Sequence, residues 1–253
     1  MYFDVQGIVI QEKPFGETSK HLSVLTAHRG VIFVTAKGVK KLSAKNFAVA
    51  QLFAFSDMTL YGSGPYFTLT DAKLHESFYP LRNDPIVLSL ACYLSELASI
   101  CATVSDEESE LLRLFLNTLW FLQQKPERHK FAKVVFELRL MFGSGYMPEF
   151  VCSACGCDMS EGSFNIATGD FICSKCKEQE EASTNISSIN NLQEESITAM
   201  KYIAMCDLKR LFAFTISDQS LKQLSILSEE YVCYRVDGCN MRLHYYKDMT
   251  SLS

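Results

Sequence analysis

Two CxxC pairs in one short segment constrain this chain more than any other feature of its sequence. The segment CSACGCDMSEGSFNIATGDFICSKC contains five of the ten cysteines, and seventeen residues separate the first pair from the second. A CxxC turn directs two thiolates toward one centre, and two such turns complete the tetrahedral sulfur shell that zinc accepts. The spacing predicts one structural zinc ion, Zn2+, bound by Cys152, Cys155, Cys173 and Cys176.

Other interpretations of these cysteines stay open. A redox CxxC begins a helix in a βαβ unit and occurs once, whereas here it occurs twice around GSFNIATGDFI, a pattern typical of a hairpin. Catalytic zinc sites usually mix His or carboxylate with Cys, and none of the five histidines lies in the segment. The third alternative is cysteines that bind no metal. We expect Cys157 to be a spare thiol that could replace Cys155.

A segment of this size needs a stabilising ion. About 25 residues cannot bury enough apolar surface to fold alone, whereas zinc contributes roughly 10–16 kcal/mol to small metal-binding folds. The ion therefore takes the place of a core.

The residues before the cysteines predict an α+β fold with a barrel first. Five short runs rich in Val, Ile, Phe and Thr are separated by KPFGE, HRG and GSGP; the runs are FDVQGIVIQE, KHLSVLTA, VIFVTAK, QLFAFSDMTLY and YFTLTDAKL. Five short strands with glycine turns are typical of an OB-fold. We predict a five-stranded OB-fold barrel over residues 1–80.

After residue 80 the apolar period changes from two to 3.6. Asp84 and Pro85 predict the start of a first helix, and Ser105 with Glu108 forms a capping box before a second, which stops ahead of Pro126. Pro126 begins a third pattern, which ends at Gly143.

Two further helical patterns follow the cysteines, at 192–206 and at 218–236. KEQEEASTNISSINN, between the cysteines and these patterns, is typical of a linker or surface loop. We therefore predict an all-helical domain in two parts, 81–150 and 179–253, with a four-cysteine zinc finger inserted at 151–178.

The charge distribution points to a polyanionic partner for the barrel. The chain has a net charge of −5, but its first 50 residues carry seven Lys and Arg against three acids. TAKGVKKLSAKN places four lysines around Gly38 directly after a predicted strand, and such a loop can follow a phosphate backbone. The alternative is a solvated loop. The predicted DNA-binding residues are Lys20, Arg29, Lys37, Lys40, Lys41 and Lys45, and the candidate stacking groups are Phe15, Phe33, Phe47 and Tyr61.

Motifs for catalysis are missing from the sequence. It contains no phosphate-binding GxxxxGK[ST], no GxSxG, no HExxH and no acidic cluster for two magnesium ions, so we expect a binding protein and not an enzyme. We also expect a cytoplasmic protein, because we find neither a leader peptide nor an apolar run of about 18 residues. In that reducing compartment, metal binding is favoured over disulfides.

Several stretches together resemble the RecO family of bacterial recombination mediators. The opening GIVIQEKPFGETSKHLSVLTAHRGVIFVTAKGVKK resembles that family's start, and LTDAKLHESFYPLRND, YLSELA and FELRLMFGSGYMPEFVCSACG resemble its later blocks. The resemblance implies an OB-fold, a helical domain and an inserted four-cysteine zinc element. It places the family's basic loop on Lys37, Lys40 and Lys41, and its zinc ligands on Cys152, Cys155, Cys173 and Cys176.

The resemblance also implies a function. Such proteins bind single- and double-stranded DNA, anneal complementary strands and, with RecR and single-stranded DNA-binding protein, help to load RecA; they are not known as enzymes. On the third predicted helix, Lys133 and Arg139 could form a cationic rim for the acidic tail of single-stranded DNA-binding protein, but they equally suit a solvated face. The alternative function is a zinc-stabilised protein-interaction adaptor without useful DNA binding.

Overall fold

A closed five-stranded barrel forms the N-terminal part of the computed structural model, which describes residues 1–63, 66–103, 110–180, 188–238 and 240–251. The strands are β1 (Tyr2–Phe15), β2 (Ser19–Thr26), β3 (Val31–Ala36), β4 (Phe55–Ser63) and β5 (Tyr66–Glu76). Their order is β1-β2-β3-β5-β4, with β1 closing on β4 and with β3 and β5 as the parallel pair. The predicted five-stranded OB-fold barrel is confirmed.

An apolar cluster with side chains from all five strands fills the barrel. Alternate residues point inward, as Leu22 and Val24 do on β2 and as Met58 and Leu60 do on β4. The fourth strand begins at Phe55 and not at Gln51 as predicted, because a 3-10 turn, Ala48–Ala50, precedes it.

Asp84 caps the first helix as the sequence predicts. Helix α1 (Pro85–Cys101) begins directly after it, and Asp84 Oδ1 accepts hydrogen bonds from the backbone N–H groups of Ile86 at 2.8 Å and Val87 at 3.2 Å. Helix α2 (Glu110–Gln124) follows, and the predicted capping box of Ser105 and Glu108 lies outside the described residues.

Two compact units divide the chain, Met1–Pro126 with Met241–Ser253, and Glu127–Asn240. Helices α1 and α2 belong to the barrel's unit; the ring of Phe115 on α2 lies 6.2 Å from that of Phe53, which precedes β4. The domains predicted from the sequence, 1–80, 81–150, 151–178 and 179–253, divide the chain differently from these two units. Their bounds stay a prediction.

The second unit is built around α3 (His129–Met141), which is buried on nearly all sides. It packs against α5 (Glu194–Met205) and α6 (Asp218–Arg235), and Ser217 caps α6 by accepting a hydrogen bond from Ser220 N. The third predicted helix continues past Gly143 through a π turn, Phe142–Tyr146.

The cysteine element, residues 151–178, contains the predicted hairpin. Strands β6 (Gly162–Asn165) and β7 (Phe171–Cys173) pair antiparallel, and α4 (Ser174–Glu180) follows. A third strand, β8 (Ser188–Leu192), pairs with the other edge of β6. This strand corrects the prediction of a linker, because the polar stretch supplies backbone hydrogen bonds to a neighbouring strand.

The chain's last helix was not predicted. Helix α7 (Asn240–Ser251) returns to the barrel's unit, where Arg242 Nη1 donates to the Cys92 carbonyl at 3.1 Å and its Nε lies 3.6 Å from Glu96. Across the described helices, none combines the length and apolar character that crossing a membrane requires.

Candidate functional site

The outward-facing side chains of β1, β2, β3 and β5 form one continuous surface, which we call the outer barrel face. Strand register aligns Lys13, His21, Thr35 and Thr68 across it in one row. Alternation places Phe33 on the same face as Thr35, and its partner across the parallel pair is Tyr66. The inward side chains of the same strands fill the core, so a rigid scaffold positions this face.

Two aromatic pairs lie exposed on the outer barrel face. Phe33 is 46% exposed and Tyr66 is 73% exposed, and their ring centroids lie 5.8 Å apart. The second pair is Phe15 and His21, with ring centroids 4.0 Å apart, and His21 Nδ1 lies 3.1 Å from Thr35 Oγ1. These flat side chains are available to stack against planar ligands such as bases.

The basic loop begins at the edge of this face and is anchored to it. Lys40 Nζ donates to the Gly16 carbonyl at 2.6 Å and its backbone N–H donates to the Thr18 carbonyl at 3.0 Å, while Val39 is buried. Lys37 and Lys41 are exposed and project from this anchored segment. The loop therefore presents ammonium groups beside the aromatic pairs.

The remaining predicted DNA-binding residues are placed differently. Lys45 is exposed and its Nζ lies 2.8 Å from Asp71 Oδ1. Arg29 is exposed with its guanidinium 4.7 Å from the centre of the Phe3 ring. Lys20 is not on the outer barrel face: it occupies an inward position of β2, where its side chain is 14% exposed and bonds Glu12 at 2.7 Å.

The other two candidate stacking groups lie away from the two aromatic pairs. Tyr61 on β4 is exposed and packs on Tyr2, with ring centroids 4.9 Å apart. Phe47 follows the basic loop and is half-buried. Tyr66, which the sequence analysis missed, is the more exposed ring; its place opposite Phe33 depends on a long-range strand pairing.

Lys133 and Arg139 do not form a cationic rim. Lys133 is 2% exposed, and its Nζ lies 2.9 Å from Glu137 Oε1 and 3.4 Å from Glu229 Oε2. Arg139 Nη1 donates to the carbonyls of Ile203 and Ala204 in the last turn of α5, at 2.8 Å and 2.7 Å. Both side chains bond to groups inside the helical unit, because α3, which carries them, lies at the centre of that unit.

Four thiols of the cysteine element converge on one point. The Sγ atoms of Cys152, Cys155, Cys157 and Cys173 all lie within 4.8 Å of one another, and the Cys155 and Cys173 sulfurs are 3.9 Å apart. Sulfur atoms in this arrangement lie close enough to bind one metal ion. Three of the four predicted ligands are in this group, together with Cys157.

Backbone hydrogen bonds lower the pKa of Cys152, the buried thiol of the group. Burial opposes ionisation of Cys152, but N–H groups of Cys173, Cys155 and Ala154 together outweigh burial and lower the pKa of its thiol to about 6. The Cys173 N–H lies 3.4 Å from its sulfur. This lowered pKa favours the thiolate form of Cys152, which is the form that metal ions bind.

Cys176, the fourth predicted ligand, lies beside the group. Hydrogen bonding with the Cys155 thiol, and then with that of Cys173, raises the pKa of Cys176. Hydrogen bonding with Cys155 likewise raises the pKa of Cys157 to about 12. Five thiols therefore surround a site that needs four.

Contacts with α5 and α6 hold the cysteine element in the helical unit. Lys201 Nζ on α5 donates to the Met159 carbonyl at 3.0 Å, and Arg235 Nη2 on α6 donates to the Ala167 carbonyl at 2.9 Å in the hairpin turn. At Gly162 the φ is 148°, and a Cβ would lie 2.3 Å from the Ile172 carbonyl oxygen, so only glycine allows this close strand pairing.

Comparison with known proteins places both halves of the chain in one family. Residues 1–78 match the family model described as Recombination protein O N terminal, and residues 82–243 match that described as Recombination protein O C terminal. A DNA repair protein RecO of Acetivibrio thermocellus is 30% identical over 251 residues, which cover 98% of this chain and 97% of the relative.

Proteins of the same name from two other organisms are also similar to it. The relative from Caldicellulosiruptor saccharolyticus is 24% identical, covering 91% of this chain and 92% of its own length. The relative from Alkaliphilus metalliredigens is 26% identical, covering 95% and 96%. The chain therefore belongs to the RecO family of DNA repair proteins.

Proposed function

We propose that this protein is a recombination mediator that binds single- and double-stranded DNA through its outer barrel face and anneals complementary strands. In this proposal it works with RecR and single-stranded DNA-binding protein to help load RecA, in the cytoplasm at the nucleoid. The observation that carries the DNA-binding step is the exposed pairs Phe33–Tyr66 and Phe15–His21 beside an anchored basic loop.

The outer barrel face supports binding of single strands by two kinds of contact. Bases stack on Phe33 and Tyr66, a contact that accepts any base because every base has a flat π-face. Lys37 and Lys41 contact phosphates and release counterions, and the loop stays in place because Lys40 and Val39 anchor it. Duplex DNA would use the phosphate contacts alone and would bind more weakly.

Annealing follows from the same contacts. A strand whose phosphates are partly neutralised repels its complement less, and bases stacked on protein rings remain accessible at their pairing edges. We propose no chemical step for this chain, in keeping with the lack of nucleotide-hydrolysis motifs in its sequence.

The ion that we propose for the cysteine group is zinc, in a structural role. Bonds of 2.3 Å from zinc to sulfur in a tetrahedron separate the sulfurs by about 3.8 Å, and the Cys155 and Cys173 sulfurs lie 3.9 Å apart. An all-thiolate donor set is typical of structural zinc sites. When bound, zinc cross-links the loop of Cys152 and Cys155 to the end of β7.

The test of DNA binding is removal of one exposed ring at a time. Phe33→Ala and Tyr66→Ala should each weaken binding to a single-stranded oligonucleotide roughly 5- to 150-fold, since a stacked base contributes about 1–3 kcal/mol. Fluorescence anisotropy measures the affinity. Tyr245→Ala, which removes an exposed tyrosine from α7, is the control and should leave the affinity unchanged.

The same variants test the mediator role. Annealing of complementary strands, and RecA loading in the presence of RecR and single-stranded DNA-binding protein, should fall in proportion to the decrease in affinity. Wild-type protein that fails to bind DNA but still retains RecR would favour the adaptor function. Unchanged DNA affinity in both ring variants would contradict the proposed binding face.

A further inference from the structure

The cysteine group offers five thiols to an ion that binds four. Cys152, Cys155 and Cys173 lie close together, and their sulfurs come from the first cysteine turn and from the end of β7. Cys157 lies within 4.8 Å of all three. Cys176, in α4, lies near the thiols of the same three cysteines but outside the group of four sulfurs within 4.8 Å of one another.

Cys157 and Cys176 therefore approach the same three sulfurs from two different segments. Cys157 follows Gly156 in a loop and is exposed, whereas Cys176 is half-buried in the first turn of α4. A tetrahedral thiolate site has room for one of them. The group of four converging sulfurs includes Cys157, whereas the spacing of the two CxxC pairs favours Cys176.

We propose that Cys157 and Cys176 share the fourth ligand position of the metal site, so that either thiol alone completes it. The inference rests on the metal site of the proposed function and extends it. Ligation by Cys176 links α4 directly to the ion, whereas ligation by Cys157 closes the shell within the first cysteine turn and leaves α4 without that link. The thiol outside the shell is a free, alkylatable group.

Single and double serine variants of the full chain test the sharing. Protein purified without added metal should contain about one equivalent of zinc in wild type, in Cys157→Ser and in Cys176→Ser, because each single variant keeps four thiols. The double variant should lose most of its metal, as should Cys152→Ser, which removes a shared ligand. Circular dichroism checks that the helical unit remains folded.

Cysteine alkylation followed by peptide mass spectrometry gives a second readout. It is informative even when every variant compared still contains its metal ion. In wild type, both Cys157 and Cys176 should label in part. Cys157 should become protected in Cys176→Ser, and Cys176 should become protected in Cys157→Ser, since the remaining thiol then occupies the fourth position in every molecule.

Different failures have different meanings. Metal loss in Cys176→Ser as complete as in Cys152→Ser, with Cys157 fully labelled in wild type, would overturn the sharing and leave the structural zinc intact. Metal loss in Cys157→Ser alone would fix Cys157 as the ligand and equally overturn it. Wild-type protein without metal would overturn both the zinc site and its sharing.

Discussion

The barrel and the cysteine element are stabilised by different means. The barrel closes on itself and buries apolar side chains from all five strands. The cysteine element buries few apolar side chains, chiefly Met159, Phe164, Ile166 and Phe171, and brings thiols to its centre instead. One region has a core, and in the proposed function an ion takes the place of a core in the other.

This difference separates two properties of the protein. The proposed DNA contacts lie on the barrel, and the metal site lies in the other compact unit. A change that removes the ion should therefore leave DNA binding in place, and a change in the barrel core should leave the ion in place. The two strongest predictions test each direction.

Removal of the ion should have the largest effect. Because zinc contributes roughly 10–16 kcal/mol to small metal-binding folds, a strong chelator should unfold residues 151–178. Limited proteolysis should then cut within this segment, and added zinc should restore resistance. Affinity for single-stranded DNA should not change; a parallel loss of DNA binding would break the comparison.

A cavity in the barrel core should have the converse effect. Leu60→Ala removes a fully buried side chain and should lower the free energy of unfolding of the barrel's unit by about 2–5 kcal/mol. Thermal denaturation measures the decrease, and Leu42→Ala, at a side chain that is 82% exposed, is the matched control. Zinc content should remain at about one equivalent; release of the metal would show that the two regions depend on each other.

The same contrast explains what sequence reasoning could find. Strands β3 and β4 of the barrel alternate between buried and less buried residues, and helix α1 carries both its cap and its first-turn proline, so local patterns were sufficient for these elements. The two CxxC pairs likewise predicted three of the four thiols in the group, Cys152, Cys155 and Cys173. Cys157 follows the first pair after a single intervening residue, Gly156, so its position in the group is readable from a CxxCxC spacing.

Elements that depend on distant partners were missed. Strand β8 is a polar stretch whose only strand signal is its pairing with β6, and α7 has few buried side chains, chiefly Leu243 and Tyr246. Lys20 was misplaced because its inward position depends on the register of β2. For Lys133 a signal existed: Glu137 follows four residues later in a helix that is apolar on nearly all sides.

The central claim is that the loop beside the outer barrel face contacts DNA phosphates. Lys37→Ala combined with Lys41→Ala removes two exposed ammonium groups and leaves Lys40, which anchors the loop. The charge-matched control combines Lys209→Ala with Lys222→Ala, at exposed positions of the other unit.

The most direct measurement is the dependence of single-strand affinity on salt. The slope of log K against log salt should become shallower by up to about 0.7 for each lysine that no longer neutralises a phosphate, so by up to about 1.4 in the Lys37 and Lys41 double variant. The control variant should keep the wild-type slope. A double variant with wild-type affinity and wild-type slope would contradict the account and place the DNA contacts on another surface.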